Sequence, residues 1–76
     1  MKTYAAGDTV TLQGDRREVA MKPREWAIMS ATSCGRGYVV RRTDDDRIAR
    51  WMPRSGLITG WAGSKMVRLA VNVVVV

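Results

Sequence analysis

The sequence predicts a small, mainly-β barrel of five to six short antiparallel strands with an extra C-terminal strand. Three observations carry this. Turn-forming residues recur roughly every eight to twelve positions along much of the chain, among them Gly7-Asp8, Gly14-Asp15, Gly35-Arg36-Gly37, Thr43-Asp44-Asp45-Asp46 and Ala62-Gly63-Ser64. The segments between them are short, and most alternate apolar with polar residues. Finally, residues 37–53 read as a β-hairpin with an acidic turn and arginine-rich arms.

The N-terminal elements follow from this pattern. Residues 1–6 form a lead-in. Gly7-Asp8 makes a turn, after which Val10 and Leu12 alternate with Thr9, Thr11 and Gln13 as in a half-buried strand. Gly14-Asp15 turns the chain again, and residues 16–22 are expected to return as a strand with Val19 and Met21 on one side. Asp8 and Asp15 are turn formers rather than a catalytic pair. Pro23 excludes a central strand position. Residues 26–31 admit two readings: a helix started by Pro23 and Glu25, or a strand in which Trp26, Ile28 and Ser30 alternate. The neighbouring strands favour the second.

Residues 32–37 form a glycine loop. Gly35-Arg36-Gly37 is too short for a phosphate loop, because no helix follows and the lysine and hydroxyl of such loops are missing. Cys34, beside Arg36, has no visible general base and is read as an inert or weakly reactive thiol.

The hairpin fixes a register. With a two- or four-residue connection Arg42 faces Arg47, Val40 faces Ala49 and Tyr38 faces Trp51. Alternation then gathers Tyr38, Val40, Ala49 and Trp51 on a core face. Val39, Arg41, Ile48, Arg50 and Met52 share the other face, half apolar and half cationic, a poor match for water alone. A one-residue slip would exchange the two faces of one strand.

Beyond the hairpin, residues 53–56 make a tight connection, 57–61 a short strand and 62–64 a turn. Residues 65–71 alternate again, and the chain runs out as Asn72 followed by four valines. Such a tail is an aggregation hazard unless it is paired in a sheet, either with its own barrel or with another subunit. Val71, Val73 and Val75 are the candidate contacts for a homodimer.

Composition narrows the chemistry. Seventy-six residues allow one small domain, with residues 7–61 as the barrel and 62–76 as its C-terminal extension. One cysteine and no histidine remove an internal disulfide, zinc-finger ligation and histidine acid–base chemistry together. No enzyme activity, metal or cofactor is expected. The formal charge is +6, and ten of the thirteen basic residues are arginine, the side chain suited to bidentate recognition of phosphate or carboxylate. No apolar signal-peptide segment precedes Asp8, and the apolar run 69–76, interrupted by Asn72, is far short of the roughly 20 residues that span a bilayer. A cytoplasmic protein without a membrane partner is expected.

The order Gly7-Asp8-Thr9-Val10, Gly37-Tyr38-Val39-Val40 and Pro53-Arg54-Ser55-Gly56-Leu57 resembles the SH3-like small barrels. The resemblance covers residues 7–61 and implies a short helical turn at the proline-to-leucine step. Within that superfamily, KOW-type barrels bind nucleic acid or the transcription and translation machinery. Plasmid-borne type II dihydrofolate reductases share the layout but carry Val-Gln-Ile-Tyr before the proline. Here Ala49-Arg50-Trp51-Met52 stands at that place, without the glutamine and tyrosine that contact the reductase ligands.

Function is therefore expected on a surface. Arg41, Arg42, Arg47, Arg50 and Arg54 are candidates to engage phosphates, with Trp61, flanked by Gly60 and Gly63, partly exposed beside them. Tyr38 and Trp51 are assigned to the core. The leading expectation is nucleic-acid binding through the arginine-rich hairpin. The alternative is an adaptor or inhibitor, of the kind carried by phages and mobile elements, that docks on an acidic protein. The placement of the arginines separates the two: one contiguous groove favours nucleic acid, and a flat mixed patch centred on Trp61 favours protein.

Overall fold

The computed structural model describes residues 2–14 and 22–76. These residues form seven strands and no helix: β1 (Thr9–Gln13), β2 (Arg24–Ala31), β3 (Tyr38–Arg42), β4 (Ile48–Met52), β5 (Leu57–Ala62), β6 (Lys65–Ala70) and β7 (Val74–Val75). All pairings are antiparallel, in one sheet of order β6-β5-β4-β3-β2-β1-β7. The mainly-β barrel expectation holds, and residues 26–31 are strand. The strand expected over residues 16–22 lies mostly outside the described residues.

The strand order forces the sheet to curl. Strands β6 and β7 lie at opposite edges yet are joined through residues 71–73. Laid flat, seven strands would place those edges roughly 29 Å apart, at about 4.8 Å per strand. The four chain steps from Ala70 to Val74 reach at most about 14 Å. The sheet therefore rolls toward itself, and the segment 71–73 bridges its open side. Gly56 anchors that bridge. The Val73 amide donates to the Gly56 carbonyl at 2.6 Å, and Asn72 takes a left-handed φ of 57° to redirect the chain.

Rolling creates one interior, filled by the inward residues of the strands. Val10 and Leu12 come from β1, Trp26 and Ile28 from β2, Val40 from β3, Ala49 and Trp51 from β4, Ile58 from β5 and Ala70 from β6, and Val73 closes the gap. Leu12, Val40, Ile58 and Ala70 are fully buried. Burial of each large apolar side chain stabilises the fold by about 1.5–3 kcal/mol.

The predicted hairpin register is the observed one: Tyr38 pairs with Trp51, Val40 with Ala49, and Arg42 donates its amide to the Arg47 carbonyl at 2.7 Å. Thr43 to Asp46 thus form a four-residue connection, with Asp46 at a φ of 61°. Two details depart from the expectations. The alternation of β2 breaks at Met29, where a register shift between Ile28 and Ser30 leaves Ser30 opposite the outward Val39. The lead-in also reaches the core: the Tyr4 ring lies 5.5 Å, centre to centre, from those of both Tyr38 and Trp51, and its amide donates to the Tyr38 hydroxyl at 3.1 Å.

The valine tail is paired within this chain. Strand β7 sets Val75 opposite Leu12 and Val74 opposite Gln13. Val73 is a core residue, 6% exposed, which corrects its assignment as an oligomer contact: a side chain packed inside its own barrel has no surface to offer a second subunit. Val71 is half-buried, while Val75 is exposed. Among the described residues no helix is long and apolar enough to cross a membrane.

Candidate docking face on the outer sheet

Because Ala49, Trp51, Ile58 and Gly60 point inward, alternation turns Ile48, Arg50 and Met52 of β4 and Leu57, Thr59 and Trp61 of β5 outward. Cross-strand partners share a face, so the ladders align these side chains in rows. One row runs Val39, Arg50, Thr59, Arg68 across β3 to β6. Beside it, Arg41 pairs with Ile48, the Ala49–Gly60 pair sets Ile48 level with Trp61, and Trp61 pairs with Met66. The Thr59 hydroxyl donates to the Met66 sulfur at 3.4 Å, tying the rows together.

The result is an apolar strip bordered by guanidinium groups. Ile48, Trp61 and Met66 are 42%, 59% and 37% exposed and neighbours in the ladder, a contiguous apolar row on the outer face. Arg50 and Arg68 stand either side of Thr59, two strand spacings or roughly 10 Å apart. Among the described residues neither has an ion-pair partner. The distal part of the β5–β6 hairpin, residues 61–68, is exposed throughout. It carries Val67 exposed on the side opposite Trp61. A projecting hairpin with apolar groups on both sides gains little burial from its own barrel.

The hairpin-tip arginines are differently placed. Arg42 donates from Nε and NH2 to the two carboxylate oxygens of Asp44 at 2.7 and 2.8 Å, and lies 3.4 Å from Asp45. Arg47 pairs with Asp45 at 3.0 Å, Arg41 pairs with Asp46, and Arg24 reaches Asp44 at 3.6 Å. Four cations therefore meet three carboxylates, and the tip is close to neutral. The Arg42 hydrogen bonds hold the Asp44 carboxyl well below its ordinary range, at about 2, and push the Arg42 guanidinium up.

The six residues expected to form one site thus divide into three groups. Arg50 and Trp61 share the outer face with Arg41 at its margin. Arg42 and Arg47 belong to the neutralised tip. Arg54 lies past the end of β4, on a separate cleft. Sequence reasoning missed Arg68 and Met66 as members of the face, and placed Ile48 on the outer side of the hairpin without naming it a site residue. Arg68 was within reach of it, since residues 47–76 hold Arg47, Arg50, Arg54, Lys65 and Arg68 but no acidic residue.

Comparison with known proteins gives no match: no protein-family model matches the chain, nor does any curated protein or solved structure.

Proposed function

We propose that this chain is a non-enzymatic binding module that docks on an acidic protein surface through the outer face of β4 to β6. The observation that carries the reading is the exposed Ile48–Trp61–Met66 strip lying beside Arg50 and Arg68, which have no ion-pair partner among the described residues. Tryptophan and arginine dominate protein–protein hot spots, with an apolar centre and a charged rim. Trp61 is the anchor, Ile48 and Met66 widen the apolar contact, and Arg50 and Arg68 engage carboxylates of the partner. Arg41 contributes less, because Asp46 already occupies it.

A second reading, single-stranded nucleic acid on the same face, is supported by the lack of acidic residues in 47–76. Aromatic supply weighs against it. A stacking surface uses several exposed rings, whereas Trp26 and Trp51 are buried and Tyr4 and Tyr38 pack against the core.

Selection of a random peptide library on the immobilised chain tests the proposal, with counter-selection on the triple variant Arg50→Ala, Trp61→Ala, Arg68→Ala. Enrichment of acidic peptides carrying an apolar anchor, lost on the variant, is the expected result. Enrichment that the variant retains would place binding elsewhere.

A further inference from the structure

A second surface carries cations that the docking face does not use. Where β3 begins and β4 ends near the glycine loop, a cleft of about 580 Å³ opens between the N-terminal segment, the loop and the turn after β4. Lys2, Arg36 and Arg54 line it, brought from three separate stretches of the chain. Among the described residues no acidic side chain lines it, and none of these three has an ion-pair partner. Lys2 also sits 5.3 Å from the centre of the Tyr4 ring, which steadies it beside the cleft. Elsewhere on the chain, at the hairpin tip, arginines are matched by aspartates. Here three basic residues line one concavity, with no carboxylate beside them among the described residues.

Part of the lining is apolar. Tyr38, Met52 and Pro53 form it, all half-buried. Its shape depends on Gly37, where a side chain would stand 2.7 Å from the Trp51 carbonyl and run into the Met52 sulfur. The cleft volume falls in the ordinary range for small-molecule sites, about 300–1,000 Å³. Guanidinium and ammonium donors in one cleft with a partly aromatic lining are the complement of a phosphate ester that bears a flat apolar group.

We propose that this cleft binds a small organic phosphate of nucleotide size, its phosphate held by Arg36, Arg54 and Lys2 and its ring system laid against Tyr38, Met52 and Pro53. The site is independent of the docking face, since none of the face's central residues, Ile48, Arg50, Trp61, Met66 and Arg68, lines it.

The experiment is titration of the full chain with adenosine 5′-monophosphate, followed by backbone amide chemical shifts, with inorganic phosphate and adenosine as separate arms. Expected are saturable shifts at Gly35, Arg36, Tyr38 and Arg54, displacement by inorganic phosphate, and affinity for adenosine at least tenfold weaker. Arg36→Ala with Arg54→Ala should weaken the monophosphate at least tenfold, while Arg68→Ala leaves it unchanged. The cleft lies on the rim of the fold, so each variant's amide spectrum also reports whether it is folded. Three results would overturn the proposal: no shift at millimolar monophosphate, adenosine binding as tightly as its phosphate, or equal loss in Arg68→Ala.

Discussion

Arg42 and Asp44, two residues apart across the β3–β4 connection, meet through two parallel hydrogen bonds of 2.7 and 2.8 Å. This fork is the bidentate member of the contacts that turn a cationic hairpin into a nearly neutral one. It also gives the fold an acid-sensitive element. The folded Asp44 carboxyl sits at about 2 against an ordinary 3.8, chiefly because Arg42 hydrogen-bonds its ionised form. A depressed carboxyl stabilises the folded state above the unfolded value and loses that contribution as the pH falls through the folded value.

Thermal midpoints measured from pH 5 to pH 1.5 should therefore differ between the wild type and Asp44→Asn at the upper end and converge only below pH 2. Parallel curves would show that the fork makes no contribution to stability.

Two tryptophans should behave in opposite ways. Trp51 is 1% exposed and Trp61 is 59% exposed. Trp51→Ala is expected to cost about 3–5 kcal/mol, through lost burial and a cavity. Trp61→Ala should stay within about 0.5 kcal/mol of the wild type. Urea denaturation of both variants checks this, and a large loss at Trp61 would mean that it supports the fold rather than a partner.

The barrel's closure rests on Gly56. Its φ is +71°, and a β-carbon there would stand 2.8 Å from the Asn72 α-carbon and 2.9 Å from the Val73 nitrogen. Both neighbours are backbone and cannot step aside without moving the bridge. Gly56→Ala should cost about 2–3 kcal/mol and speed amide exchange at Val73 and Val76, whose hydrogen bonds hold the tail. Unchanged stability would show that the bridge is not held at this point.

Cys34 is exposed, and its thiol is acidified, first by the Thr32 hydroxyl 3.2 Å from its sulfur and then by the Arg36 amide. The pH profile of iodoacetamide alkylation should lie below the ordinary thiol value near 9.0. In Thr32→Val it should move to higher pH. An identical profile in the variant would remove the hydroxyl as the cause.

Much of the fold could be read from the sequence because alternation and turn chemistry agreed with each other. Tyr38, Val40, Ala49 and Trp51 alternate on both sides of a turn rich in aspartate, so register and core face followed together. Met29 escaped because a bulge leaves no mark in a run where apolar residues fall on both phases. Tyr4 escaped because its partners lie more than thirty residues away, and nothing local signals that a lead-in folds back over an aromatic pair. The tail's role was open for a related reason: pairing of β7 with β1 is a property of closure, not of the valines themselves.

The candidate site was legible only in part. Arginine-rich arms were visible, but the effect of Asp44, Asp45 and Asp46 on them depends on side-chain geometry that sequence does not contain. That geometry moved the weight from Arg42 and Arg47 to Arg50, and the β5–β6 pairing added Arg68 and Met66. The face that resulted is mixed, apolar at Ile48, Trp61 and Met66 and cationic at Arg50 and Arg68.

The most direct test of this account is fluorescence anisotropy of an acidic peptide from the library selection beside a single-stranded oligonucleotide, each titrated at low and near-physiological salt. Peptide binding should survive at the higher salt. It should fall at least thirtyfold, about 2 kcal/mol, in Trp61→Ala and in the charge reversal Arg50→Glu with Arg68→Glu. Oligonucleotide binding that persists at the higher salt and is abolished by those same substitutions, with no peptide bound, would contradict it.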